Sequence, residues 1–61
     1  MTDKQRKDLY IEWDVTSSKV KKQITDQYQQ EFGEKMSTEH WEEYLVKALN
    51  LKQSWESNGL A

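Results

Sequence analysis

Residues 9–16, Leu9-Tyr10-Ile11-Glu12-Trp13-Asp14-Val15-Thr16, alternate apolar and polar side chains and are rich in β-branched and aromatic types. That pattern predicts a half-buried β-strand. Everything after Ser18 has helical spacing, so the strand has no mate in its own chain. Its row of backbone N–H and C=O groups needs a partner, and a second copy of the same strand supplies one. The sequence therefore predicts a homodimer built on a shared two-stranded ribbon.

The size of the chain points the same way. Its 61 residues make one small domain, which buries only about 60% of its unfolded surface and is marginal without a staple. There is no cysteine and only one histidine, His40, which excludes disulfides and disfavours structural zinc. Oligomerisation is the remaining staple. Three tryptophans, three tyrosines and Phe32 argue for a packed core rather than disorder. No apolar run is long enough to span a membrane and no signal-peptide core is evident, so the expectation is a cytoplasmic protein. The net charge of −2 is unevenly spread. Residues 1–22 carry six basic side chains against four acidic, and residues 23–61 carry three against seven. The N-terminal third is the electropositive end.

Along the chain, residues 1–7 are polar and predict a flexible basic arm. Residues 8–58 form the single domain, and 59–61 a tail. Thr16, Ser17 and Ser18 are candidate N-caps for a first helix over about 18–32, with Val20, Ile24, Tyr28 and Phe32 as its apolar stripe and Gly33 as its C-cap. Ser37 is the N-cap of a second helix, with Met36 able to pack on Trp41 as a hydrophobic staple. Trp41, Tyr44, Ala48, Leu51 and Trp55, widened by Leu45 and Leu49, give that helix a broad buried face ending at Asn58-Gly59. The rival reading makes residues 3–14 a helix capped by Thr2 and the whole a three-helix bundle. Against it, Tyr10–Thr16 holds five β-branched or aromatic residues, a poor helix former.

Alternating Leu9-Ile11-Trp13, Gly33 after the first helix and the Ser37-Thr38 start of the second resemble the ribbon-helix-helix family of DNA-binding proteins, the Arc and MetJ type, which read DNA with a β-ribbon. The resemblance implies an intertwined homodimer whose ribbon lies in the major groove. Base contact would fall on Asp8, Tyr10 and Glu12, and the amides at Ser37 and Thr38 would clamp a phosphate. It further implies a small transcriptional repressor of the kind encoded by phages and plasmids. Two of those three outward side chains are carboxylates, where such readers usually carry basic or amide groups. Glu12 could accept from cytosine N4, while Asp8 would be repelled by phosphates.

Lys19, Lys21 and Lys22 stand in the first turn of a helix, where the dipole disfavours cations. Together with Lys4, Arg6 and Lys7 of the arm they are candidate phosphate contacts; the plain alternative is a solvated face. Ser37 and Thr38 serve as caps under either reading. Glu39, His40 and Glu43 share a helix face but lack a further metal ligand, Glu42 and Glu43 read as an exposed pair, and no cofactor is implied. There is no catalytic constellation: no cysteine, no glycine-rich phosphate loop, and one distant histidine as the only base for any serine. The chain reads as a non-enzyme. A competing function is a small acidic inhibitor or adaptor, phage-encoded for instance, that binds another protein through Glu31, Glu34, Glu39, Glu42 and Glu43 around the helix junction or by strand pairing.

Overall fold

A computed structural model describes residues 1–34 and 37–60. It holds four helices: α1 (Asp3–Val15), α2 (Ser18–Phe32), α3 (Thr38–Ala48) and α4 (Leu51–Ser57). No strand occurs among the described residues, so the ribbon-helix-helix expectation is overturned and the helical-bundle alternative fits. The opening turns of α1 take up residues 3–7, expected as an arm. The Met36 staple lies outside the described residues.

Local signals at its start explain why α1 is a helix. The Thr2 hydroxyl accepts from the Gln5 amide at 3.1 Å, and the Gln5 side chain accepts from the Thr2 amide at 2.9 Å. This reciprocal capping box satisfies two orphan donors, and Asp3 in the first turn suits the positive end of the dipole. The same apolar letters then obey a second period. Gln5, Leu9 and Trp13 recur every fourth residue and face inward, with Leu9 fully buried. Ile11, which a strand would place beside Leu9 in the core, is 60% exposed, and Val15 is 73% exposed. The weak helix propensity of Tyr10–Thr16 costs a few tenths of a kcal/mol per residue. Burying Leu9 alone returns about 1.5–3 kcal/mol. With its backbone bonded internally, α1 needs no strand from a second chain, and the reason for a ribbon dimer disappears.

The second helix follows its sequence signals closely. Ser17 caps it at 3.3 Å from the Val20 amide, and Gly33 ends it at φ 77°, a backbone region that L side chains disfavour. Only Ile24 and Tyr28 of its stripe are buried; Val20 and Phe32 stay 39% exposed. Ser37 caps α3 by accepting from the His40 amide at 3.0 Å. The expected long second helix is interrupted. Asn50 adopts the left-handed conformation at φ 55°, which Asn tolerates better than most residues, and its side chain donates to Gln53 at 3.1 Å. The break folds α4 back, so that Leu51 and Trp55 join Leu9, Ile24 and Leu45 in one core. α3 is the central element, packed by each of the other three.

Candidate functional site

The polar side chains of α1 divide into those that hold the helix down and those that face outward. Asp8, expected to read bases, accepts from the indole Nε1 of Trp55 at 2.6 Å. Tyr10, expected beside it, donates its hydroxyl to Glu42 Oε2 at 2.8 Å. Two of the three proposed base contacts are thus internal fasteners, one to α4 and one to α3. The third, Glu12, is exposed, and its backbone carbonyl accepts from the Thr16 hydroxyl at 2.6 Å.

Glu42 corrects another expectation. It is buried, at 3% exposure, rather than part of a solvated Glu42–Glu43 face. A buried carboxylate requires partners, and Tyr10 and Arg6 provide them. The Arg6 Nε contact to Glu42 Oε1 is long at 3.4 Å, and the arginine side chain is half-exposed, so the phenol is the firmer of the two bonds. Accepting that bond, Glu42 holds the Tyr10 phenol above its usual pKa of 10.0. Burial and the charge of Glu42 add to the rise, and Arg6 opposes it. Burial, with the nearby charge of Glu31, likewise raises the Tyr44 phenol.

The proposed phosphate contacts scatter. Arg6 is engaged with Glu42, and the Lys21 ammonium lies 5.7 Å above the Trp13 ring, a cation–π geometry. Ser37 serves as the α3 cap, with Thr38 exposed next to it as the first residue of α3. Lys4 and Lys7 lie exposed on α1, and Lys19 and Lys22 on α2. His40, the one histidine, takes part in a hydrogen bond between its Nδ1 and the Tyr28 hydroxyl at 2.8 Å. It sits within an aromatic cluster of Tyr28, Phe32, Trp41 and Tyr44 that joins α2 to α3.

The outward side of α1 was not anticipated. Helical geometry places Lys4, Lys7, Ile11, Asp14 and Val15 on that side, and all five are exposed. Ile11 and Val15 are one turn apart and are the two most exposed large hydrophobic residues among those described. Alongside runs a shallow groove of about 580 Å³ lined by Asp3, Arg6, Lys7, Tyr10 and Ile11. A second groove, about 660 Å³, runs between Met1, Val46, Lys47 and Lys52, its floor closed by the buried Trp55. The sequence did hold a signal for the α1 face. Lys7, Ile11 and Val15 repeat every fourth residue, out of phase with Gln5, Leu9 and Trp13.

No helix of the described residues is long and apolar enough to cross a membrane. Comparison with protein-family models, with curated proteins and with solved structures finds no match.

Proposed function

We propose that this protein is a small helical interaction module, an adaptor or inhibitor, that docks on other proteins through the outward face of α1. The observation that carries the reading is the pair Ile11 and Val15, held in the open on a helix whose opposite side is fastened. Grouped apolar side chains left in water are a mark of interaction surfaces, and a rigid helix presenting anchors one turn apart is a recurrent way to enter a partner's groove. Three long-range fasteners support that rigidity: Asp8 to Trp55, Tyr10 to Glu42, and Gln5 to the Leu60 carbonyl. Ordering cost on binding is correspondingly small.

Reading of the major groove has lost its element, since the segment is helical and Asp8 and Tyr10 are occupied internally. What favours nucleic acid is the exposed lysines alone. Capture experiments with wild type and an Ile11→Glu/Val15→Glu variant test the docking reading. In dilute solution both proteins should give the same circular dichroism and melting curve, and specific proteins held by wild type should be lost from the variant. Identical captures would refute it. A gel shift on random duplex DNA at low salt should show no retardation, and a salt-sensitive shift would restore the nucleic-acid reading.

A further inference from the structure

Which partner the α1 face accepts is written in the order of its charges. Along the outward side, Lys4 and Lys7 precede Ile11, and Asp14 follows it; Asp3 and Arg6, which line the groove beside Lys7, offset each other and leave that end basic. Asp8 is turned inward to Trp55 and does not interrupt this order. A face that is basic at one end, acidic at the other and apolar in between is complementary to itself when reversed. We propose that the outward face of α1 mates with the same face of a second copy, the two helices antiparallel. This rests on the reading of that face as a protein-docking surface and names its partner.

The geometry follows from a two-fold axis passing beside Ile11. Such an isologous contact uses one patch twice. Ile11 meets Ile11 of the second copy, and Lys7 stands opposite Asp14 of the second copy, with the same pair repeated across the axis. Val15 is covered by the aliphatic stems of Lys4 and Lys7 from the second copy, whose ammonium groups remain in water. The macrodipoles also run opposite, as favourable electrostatics requires. A parallel pairing would set lysine against lysine. Since α1 has 13 residues and spans about 20 Å, the contact belongs to the small end of specific interfaces. The dimer is therefore reversible, and a different target must displace the second copy to reach Ile11 and Val15.

Sedimentation of the full chain across dilution, from millimolar to low micromolar at low salt, tests this directly. Wild type should pass from two chains to one. Lys7→Glu and Asp14→Lys each turn both cross-axis pairs repulsive, and each variant alone should associate about tenfold more weakly or worse. An equal mixture restores opposite charges at both pairs and should recover wild-type association. Melting curves of the variants confirm folding. A wild type that stays single at all concentrations, or a mixture no better than its components, overturns the proposal. A single-chain wild type that still captures other proteins through Ile11 and Val15 overturns the second copy and leaves the docking reading standing. A dimer recovered on mixing, with no other protein captured, upholds the second copy and removes the separate target.

Discussion

Leu9 and Ile11 are two positions apart, and the consequences of truncating each to alanine separate a helix from a strand. In a strand both would point into the core, whereas in a helix they diverge by about 200°. Leu9 has no exposed surface, so Leu9→Ala removes buried methyl groups and leaves a cavity, at a cost of about 2–5 kcal/mol. Ile11 is 60% exposed. Its modest burial is offset by the better helix propensity of alanine, about 0.4 kcal/mol, so Ile11→Ala should fall within about 0.5 kcal/mol of wild type. A domain of this size shifts its melting temperature by about 4–8 °C per kcal/mol. Leu9→Ala should therefore melt at least about 8 °C below wild type, and Ile11→Ala within about 4 °C. Thermal melts followed by far-UV circular dichroism, at a concentration low enough to keep the chain single, provide the comparison. Similar losses at the two positions would refute the helical placement of α1 and the docking surface with it.

Tyr10→Phe removes a donor from a buried carboxylate. The cost is about 1–2 kcal/mol, toward the low end for a charged acceptor because water can reach the half-exposed ring, and urea denaturation should exceed the loss from Arg6→Gln, whose 3.4 Å contact is partly solvated. Equal effects would show that the phenol is not the firmer partner. Stability should also fall on the alkaline side. A phenol whose folded pKa lies above its unfolded value, as for Tyr10 and Tyr44, contributes stability that is complete below pH 10 and lost as pH climbs through the folded value. Absorbance titration of the tyrosinate band in wild type and Tyr10→Phe should assign a late-ionising phenol to Tyr10, and an ionisation at or below 10 would contradict the Glu42 bond.

Where single residues carry a steric or capping rule, sequence and structure agree. Gly33 and the hydroxyls of Ser17 and Ser37 stand at the helix ends in the structure, and Asn58-Gly59 lies just beyond the last turn of α4. The strand expectation for residues 9–16 fails because Leu9, Ile11 and Trp13 satisfy period two while Leu9 and Trp13 also satisfy period four. Ile11 decides between them, and only its exposure says which way. Thr2 and Gln5 together spell a capping box, a cue as local as those that succeeded. The break at Asn50 has no glycine or proline to announce it, and only the packing of α4 onto α1 and α3 makes a left-handed asparagine worthwhile. Glu42 could not be told from Glu43 by type. Its burial follows from long-range partners, Arg6 and Tyr10, 36 and 32 positions away.

The bond donated by the Gln5 side-chain amide to the Leu60 carbonyl, 2.7 Å across 55 positions, ties the first turn of α1 to the segment that follows α4. Because that one bond joins segments 55 positions apart, loosening either segment would release the other, and Gln5→Ala should uncouple them.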